Sequence, residues 1–296
     1  MSKIIAVVVA YQPNLERLYE QFSALLLQVQ SIVVVDNGPG NDVLTWTKQW
    51  SGCEVHCISL GQNMGIAHAQ NRGIEWARSV DASHVLLMDH DSIPAKNMVA
   101  QLMSVLTMLP GAGAVGPCYR DPRRARKTSP FIRTVGLRQL RLDCSTSGPV
   151  VEVDHVIASG CLIPMDILSR VGQMREDFFI DFVDIEWCLR ARFSGHPVYG
   201  VCDAHLEHRL GDDPVRFLGR YYSTHSSRRR YFQVRNAVLL YREPWVPLNW
   251  KLASASQLIL MMGFHVLVKA PRMQSFKSIA IGFLHGLMGR AGAVPD

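Results

Sequence analysis

The chain has 296 residues, of which 48% are hydrophobic and 19% are charged. This composition excludes an intrinsically disordered chain, and the length suits one large α/β domain with an appendage or two small domains. The formal net charge is +6, but it is unevenly spread. From Arg216 to the end there are twelve Lys/Arg and two Asp/Glu, a net of +10, so the basic charge belongs to the C-terminal region.

The cysteines and the N-terminus indicate a cytoplasmic protein. The seven cysteines are scattered, odd in number and free of C-x-x-C spacing, which argues against a disulfide framework or a zinc knuckle and fits a reducing compartment. The apolar run at 4–10 is short and lacks a cleavage site, so a buried first strand is a better interpretation than a signal peptide. No run of about 18 apolar residues occurs, so we expect no spanning helix.

The first 120 residues alternate strand and helix patterns. We expect strands at 4–10, 31–35, 54–59, 83–88 and from 114, with helices at 14–29, 41–50, 64–78 and 94–109 between them. Such βα units imply a mostly parallel sheet flanked by helices, which binds ligands at the carboxyl ends of its strands. Residues 120–148 predict a mobile loop, either a lid or a segment that faces a substrate. Residues 150–157 predict a further strand, and the chain is expected to be helical after Arg209.

Two carboxylates one residue apart, Asp89 and Asp91, follow the predicted strand at 83–88. Both can reach a single cation from a strand end, and Mg²⁺ or Mn²⁺ takes such oxygen ligands while it bridges to substrate phosphates. A helix cap before Pro94 is the alternative interpretation of Asp91. His205 and His208 flank Glu207, and an imidazole there is either a third metal ligand or structural.

Two further segments follow predicted strands. Asp36 and Asn37 end the second strand, where a carboxylate accepts a hydrogen bond from a base or ribose, although Asp-Asn-Gly also suits a plain turn. The segment 61–73 places glycines at a strand-to-helix junction. These glycines either let the backbone approach an anionic ligand or belong to an ordinary loop.

The densest acidic group is Asp181, Asp184 and Glu186, within an aromatic stretch at 178–190. A helix that begins near Asp181 would put Asp181 and Asp184 on one face. A carboxylate among apolar side chains suits a general base, whereas acids at a helix N-terminus are the structural alternative.

Taken in their order along the chain, these motifs resemble those of inverting family-2 glycosyltransferases of the GT-A fold. The resemblance is greatest to bacterial rhamnosyltransferases that use dTDP-L-rhamnose. The resemblance covers roughly residues 3–245, and its most specific part is the glycine- and asparagine-rich segment 61–73. Val183 departs from it, because the family has Glu there.

The resemblance implies a GT-A domain over 1–245, with a nucleotide-sugar half at 1–120 and an acceptor half at 149–215. It assigns the catalytic base to Asp184 and a Mg²⁺ or Mn²⁺ ion to Asp89, Asp91 and His208. The expected donor contacts are Ala10, Tyr11, Asp36, Asn37, Gly61, Asn63, Gly65, Asn71, Asp89 and His90. The expected acceptor contacts are Ser159, Gly160, Asp181, Glu186 and Trp187. The implied reaction moves L-rhamnose to a lipid-linked glycan in O-antigen-like polysaccharide synthesis, at the inner face of a bacterial plasma membrane.

Residues 246–296 predict an amphipathic helical tail. Apolar residues recur there at helical spacing, at Phe276, Ile279, Ala280, Phe283, Leu284, Leu287 and Met288. Together with the basic charge this face favours an anionic membrane surface. Packing on the core or a homodimer contact is the alternative.

Three rival functions explain parts of the sequence. A nucleic-acid binder would explain Arg228, Arg229 and Arg230 but not the acidic strand ends, so we expect no nucleic-acid partner. A non-catalytic scaffold of a polysaccharide assembly complex is disfavoured because the acidic residues occur together. The same fold with a UDP-hexose donor is the alternative among enzymes.

Overall fold

A computed structural model of the chain describes residues 2–40, 42–50, 52, 54–123, 131–208, 212–217, 220–224, 226–267 and 271–294. The strands are β1 (Ile4–Ala10), β2 (Ser31–Asp36), β3 (Val55–Ser59), β4 (His84–Asp89), β5 (Ile93–Pro94), β6 (Ala114–Arg120), β7 (Phe131–Val135), β8 (Arg138–Leu142), β9 (Val150–Val153), β10 (Cys161–Pro164), β11 (Val198–Glu207), β12 (Asp212–Phe217) and β13 (Arg220–Thr224). The α-helices are α1 (Leu15–Leu25), α2 (Asp42–Thr47), α3 (Ile66–Ser79), α4 (Met98–Met108), α5 (Met165–Val171), α6 (Val183–Phe193), α7 (Ser227–Arg242), α8 (Leu248–Leu267) and α9 (Arg272–Leu287). Short 3₁₀ helices cover Lys48–Trp50 and Glu176–Phe178.

One mixed sheet organises the described chain. Its order is β3-β2-β1-β4-β10-β6-β11-β5, and β9 pairs with β11. β3, β2, β1 and β4 run parallel, as do β6 and β11, while β10 lies antiparallel between β4 and β6. The predicted α/β class with a largely parallel sheet is therefore confirmed.

The sheet buries side chains on both faces. Successive residues of β1 point in opposite directions, so Ile5 and Val7 join one core cluster with α3, and Ala6 and Val8 join the other with Phe22 of α1. All four of these β1 side chains are fully buried. This two-sided burial explains why the strand reads as a continuous apolar run rather than an alternating one.

The expected helix at 94–109 begins later than predicted. Pro94 pairs with Leu206 in the edge strand β5, and α4 begins at Met98. Proline is tolerated at a sheet edge because its missing N–H is not needed by a further strand. The prediction that Pro94 opens the helix is wrong.

The expected loop at 120–148 is only partly described, since 124–130 lie outside the described residues. Residues 131–142 form the hairpin of β7 and β8, which turns at Gly136 with φ +57°. The arginines in this segment obscured its alternating pattern, and the loop prediction is wrong there. The helix expected after Arg209 is likewise preceded by the hairpin of β12 and β13, and α7 begins at Ser227.

Cys144 and Cys202 form a disulfide with their Cα atoms 5.4 Å apart. It joins the segment after β8 to β11 across 58 residues of sequence, a separation that spacing rules do not detect. The expectation of no disulfide is therefore wrong for this pair. Cys57, Cys161 and Cys188 form no disulfide within the described residues.

The C-terminal helices pack through small residues. A Cβ added at Gly282 would lie 2.6 Å from the carbonyl oxygen of Tyr231, and one at Gly286 would lie 2.7 Å from Cβ of Val238. The face of α9 that carries these glycines therefore packs closely against α7. Among the described residues, no helix is long and apolar enough to cross a membrane.

Candidate active site

The polar strand ends meet at one edge of the sheet. Ala10 at the end of β1 pairs with Asp36 of β2, and Val9 pairs with Asp89 of β4. Parallel pairing of three neighbouring strands thus brings two carboxylates to the same carboxyl edge. This is the position at which open α/β sheets bind ligands.

Asp89, Asp91 and His208 form a cluster whose candidate ligand atoms all lie within 4.8 Å of one another. Nδ1 of His208 is 3.3 Å from Oδ1 of Asp91, and Nε2 is 3.8 Å from Oδ2 of Asp89. Oδ1 of Asp91 is buried and accepts no well-formed hydrogen bond among the described residues. A buried carboxylate oxygen without a well-formed hydrogen bond in the described chain, beside a second carboxylate and an imidazole, fits a hard divalent cation such as Mg²⁺ or Mn²⁺.

The charges in this cluster act strongly on one another. Burial raises the pKa of Asp89, and the carboxylates of Asp91 and Asp184 raise it further against the opposing effect of His208. Burial also works against the charge of Asp91, but the adjacent imidazole outweighs it and lowers the pKa of Asp91. The pKa of His208 is raised because the two carboxylates overcome its burial. The cluster therefore attracts positive charge.

Two buried serines hold His208 in place. Ser92 Oγ is 2.6 Å from Nδ1 of His208, and Ser159 Oγ donates to Ser92 Oγ at 2.7 Å. The backbone N–H of Asp89 in turn donates to Ser159 Oγ at 3.2 Å. The carboxylate strand end and the imidazole are thus connected through two hydroxyl groups.

The predicted nucleotide loops are brought together beside β2. Asn37 accepts from the backbone N–H of Met64 at 2.8 Å and donates to Asn63 Oδ1 at 3.3 Å. Oδ1 of Asp36 accepts from the N–H of Gly38 at 3.1 Å, and burial is the main cause of its raised pKa. These contacts fix the shape of the loop after β2 and the loop before α3.

Other predicted donor residues are spread around these loops. Tyr11 and Gly61 are exposed, and His90 is half-buried with its Nδ1 3.3 Å from the carbonyl oxygen of Val9. Asn71 is buried and exchanges hydrogen bonds with the backbone of Met174, so it joins α3 to the segment before α6. The geometry supports a structural role for Asn71.

The loop before α6 has an unusual backbone. Phe179, Asp181 and Phe182 all have φ between +62° and +65°, a region that costs a non-glycine residue about 1–3 kcal/mol. Asn236 of α7 holds the loop by donating to the carbonyl oxygens of Phe178, Ile180 and Asp181 at 2.8–2.9 Å. α6 begins at Val183, two residues after Asp181, so Asp181 lies in the loop and Asp184 in the helix.

Gly65 joins this loop to the donor side. Its φ is +90°, and a Cβ there would lie 2.6 Å from the ring of Phe179. The N–H of Ile66 donates to the carbonyl oxygen of Phe179 at 2.7 Å. Glycine is required because the two loops are in direct contact.

Asp184 lies in the first turn of α6 and is half-buried. Its Oδ1 accepts from the N–H of Ile185 at 2.9 Å. Its charge acts on Asp89, on Asp181 and on the half-buried His155. The Asp184 carboxylate is therefore within electrostatic reach of Asp89 in the cation cluster. A half-buried carboxylate is a type of group that can accept a proton from a hydroxyl group.

Residues 4–160 match the sequence profile described as Glycosyl transferase family 2. The chain is also 32% identical over 294 residues to the dTDP-rhamnosyl transferase RfbF of Shigella flexneri, covering 98% of this chain and 97% of that one. The chain belongs to glycosyltransferase family 2.

Two more distant comparisons agree with this glycosyltransferase fold. The N-acetylglucosaminyl-diphospho-decaprenol L-rhamnosyltransferase of Mycobacterium tuberculosis is 24% identical over 254 residues, covering 75% of this chain and 81% of that one. The crystal structure of GalNAc-T7 with UDP, GalNAc and Mn²⁺ superposes with a TM-score of 0.64 at 11% identity. It covers 97% of this chain, which spans only 56% of that one.

Most of the predicted acceptor residues of the glycosyltransferase lie inside the protein. Glu186 is buried and paired with Arg190, Trp187 is buried and donates to the carbonyl oxygen of Gly172, and Ser159 is fully buried. Gly160, with φ +85°, packs against Pro117. These residues make structural contacts, and the acceptor contacts expected from the sequence stay predictions.

Three residues of the site were not singled out by the sequence. Ser92 and Asn236 act through hydrogen bonds to residues distant in sequence, which no local motif reveals. Arg229, whose Nε is 3.1 Å from Asp181, was visible only as part of an arginine run.

Proposed function

We propose that this glycosyltransferase is an inverting rhamnosyltransferase that moves L-rhamnose from dTDP-L-rhamnose to a hydroxyl group of a lipid-linked glycan. The near full-length similarity to the Shigella dTDP-rhamnosyl transferase carries this proposal. The site at the carboxyl edge of the sheet agrees with this proposal. It combines a loop that suits a nucleobase, at Asp36 and Asn37, with the cation cluster and the carboxylate of Asp184.

In the proposed reaction Asp184 accepts the proton of the acceptor hydroxyl group. The hydroxyl oxygen forms a bond to the anomeric carbon while the bond from that carbon to the β-phosphate oxygen breaks, and its electron pair leaves with dTDP. One base and no covalent intermediate give inversion at the anomeric carbon. A cation held by Asp89, Asp91 and His208 supplies positive charge to the diphosphate when bound.

The acceptor assignment draws on the mycobacterial relative, whose name specifies a diphospho-decaprenol substrate. The described C-terminal residues agree with a lipid-linked acceptor, because they lie beside the loop before α6. The N–H of Gly292 donates to the carbonyl oxygen of Asp177, and Val294 packs against the same small apolar cluster as Ile180. An acceptor anchored in a membrane would thus approach from the side that the tail occupies.

The C-terminal helices also support the proposal that the protein lies peripherally on the cytoplasmic side of a bacterial plasma membrane. α9 buries its small residues against α7 and exposes the predicted apolar face, at Phe276, Phe283, Leu284, Leu287 and Met288. Residues 246–294 contain basic residues but no Asp or Glu. An exposed apolar face with basic neighbours fits an anionic lipid surface. Synthesis of O-antigen-like cell-surface polysaccharide is the role that joins these features.

A donor panel tests the proposal. The protein is incubated with dTDP-L-rhamnose, UDP-glucose or UDP-N-acetylglucosamine in Mn²⁺, in Mg²⁺ and in EDTA, and slow donor hydrolysis and the thermal shift are measured. We expect dTDP-L-rhamnose to give the largest metal-dependent signals. A preference for a UDP-hexose would overturn the donor assignment, and no hydrolysis of any donor would favour the scaffold.

A further inference from the structure

Arg229 lies in the first turn of α7 at the edge of the site. Its Nε donates to both carboxylate oxygens of Asp181, each at 3.1 Å. The side chain of Asp181 is 11% exposed, whereas that of Arg229 is 38% exposed. The carboxylate is therefore the inner member of the pair, and the guanidinium is its outer, more open member.

The stability of α7 does not explain an arginine at this position. The positive end of the helix dipole lies at the N-terminus, so cations in the first turn lower helix stability. Ser226 already caps the helix, with its Oγ accepting the backbone N–H of Arg229 at 3.2 Å. A cation at the start of α7 adds instead to the attraction that the free N–H groups of the first turn have for an anion.

The charges around Arg229 belong to the active site. Burial lowers the pKa of Arg229, but the carboxylates of Asp181, Asp89 and Asp184 outweigh this effect and raise it above its usual value. Arg229 is therefore within electrostatic reach of both the cation cluster and the candidate base.

The guanidinium is only partly used by its partner. Of the guanidinium nitrogens only Nε donates to Asp181, and the two Nη groups make no hydrogen bond within the described part of the chain. Arg190 offers a contrast, because both its Nε and its Nη2 pair with the buried Glu186. The Nη groups of Arg229 are thus available as planar donors that match two phosphate oxygens.

We propose that Arg229 binds the β-phosphate of the donor and remains on it as the bond from the anomeric carbon to the phosphate oxygen breaks, and that Asp181 is the positioning residue that holds the guanidinium. This inference rests on the proposed function in so far as the donor is a nucleoside diphosphate sugar. It places Asp181 on the donor side of the reaction, in place of the acceptor contact expected from the sequence.

The test compares nucleoside diphosphate with nucleoside monophosphate binding by calorimetry in Mn²⁺, using dTDP with dTMP and UDP with UMP. The main variant is Arg229→Gln, which removes the charge but keeps an N–H donor for Asp181, and Arg229→Lys tests rescue by charge. Arg228→Gln, one residue earlier on the same helix turn, is the matched control. Circular dichroism checks that each variant is folded.

We expect Arg229→Gln to weaken binding of the diphosphate about 10- to 100-fold, the range for a charge-assisted hydrogen bond, and to leave the monophosphate within about threefold. Arg229→Lys should recover part of the loss, and Arg228→Gln should bind like the wild type. Asp181→Asn should also weaken diphosphate binding, but it should add no further loss when Arg229 is already Gln, because Asp181 acts through Arg229.

The outcomes separate this inference from the donor proposal. If the wild type binds UDP in preference to dTDP, the proposal of a thymidine nucleotide donor is overturned. The role of Arg229 is then tested by comparing how its variants bind UDP and UMP. An unchanged ratio of diphosphate to monophosphate affinity in Arg229→Gln would overturn the role of Arg229. Additive losses in the double variant would overturn the positioning role of Asp181. Failure of the wild type to bind either diphosphate would overturn both proposals.

Discussion

Oγ of Ser92 lies 2.6 Å from Nδ1 of His208, inside the protein and next to the cation cluster. Ser92 is fully buried and also receives the hydroxyl hydrogen of Ser159. The contact between Ser92 Oγ and Nδ1 of His208 fixes the rotation of the imidazole ring, whichever of the two atoms donates the hydrogen. Such contacts around metal-binding histidines set which nitrogen faces the ion.

Ser92→Ala should therefore weaken Mn²⁺ binding about 10- to 100-fold, the usual cost of losing an outer partner of a metal-binding histidine. The free energy of unfolding should also fall by about 1–3 kcal/mol, because buried partners lose a hydrogen bond. Calorimetric titration with Mn²⁺ measures the first effect and chemical denaturation the second. Ser79→Ala, at an exposed serine, is the control. Unchanged Mn²⁺ affinity in Ser92→Ala would show that the ring needs no such support.

His208 should make the stability of the metal-free protein depend on pH. Its folded pKa is raised above the ordinary value of 6.5, so the protonated form is favoured in the folded state. The stability that this charge contributes is fully present below 6.5 and is lost as pH rises through the raised pKa. In EDTA, the unfolding free energy of the wild type minus that of His208→Gln should decrease as pH rises through that window. A difference that grows with rising pH would contradict the direction of the shift.

The strand ends of this site were predictable from sequence. Ile4–Ala10 and Ser31–Asp36 are apolar runs that match the structure closely, and parallel pairing then carries Asp36 and Asp89 to one edge. Local pattern suffices there because both faces of the strands are buried.

The region after residue 120 was less predictable, because long-range contacts decide it. The loop before α6 has three left-handed residues that no propensity favours, and Asn236, more than 50 residues later, holds them. Glu186 and Arg190 look like an ordinary exposed i,i+4 pair in the sequence, but Glu186 is buried. Arg190 also donates to the carbonyl oxygens of Val171 and Gln173, contacts that the sequence does not reveal.

Asn236→Asp should disrupt the loop before α6 without a change in side-chain size. A carboxylate cannot donate to the three carbonyl oxygens and is repelled by them, so the left-handed residues lose their support. We expect the unfolding free energy to fall by about 1–3 kcal/mol or more and turnover to fall further than donor affinity, because the loop positions Asp184. Thermal denaturation and steady-state kinetics measure these effects. Asn97→Asp, at an exposed asparagine, should match the wild type, and equal turnover in both variants would argue against the loop's role.

Asp184→Asn should fold normally and lose transfer, since the amide keeps the shape of the carboxylate but cannot accept the proton. Loss of a general base lowers turnover about 10²- to 10⁴-fold, whereas binding of the donor nucleotide should not change. Product formation on a glycan acceptor measures turnover, and calorimetry measures donor binding. Asp166→Asn, at an exposed carboxylate on α5, is the control. Near-normal transfer by Asp184→Asn would remove Asp184 from the chemistry.

The exposed face of α9 gives the test of membrane binding. Deleting the tail is a poor test, because Gly282 and Gly286 pack against α7, which also holds the loop before α6. Replacing Phe276, Phe283 and Leu287 by Ser removes only exposed apolar surface. The wild type should sediment with vesicles that contain phosphatidylglycerol, more weakly with pure phosphatidylcholine and less at high salt, because both apolar burial and basic charge contribute.

The triple variant should stay in the supernatant and still bind Mn²⁺, while Leu27→Ser, which removes an exposed leucine far from α9 in sequence, should sediment like the wild type. Light scattering after size-exclusion chromatography tests the alternative, in which a second copy of the chain covers this face of α9. If the wild type ignores vesicles and is a dimer that the triple substitution converts to a monomer, α9 contacts a second copy of the chain, and the membrane assignment is wrong.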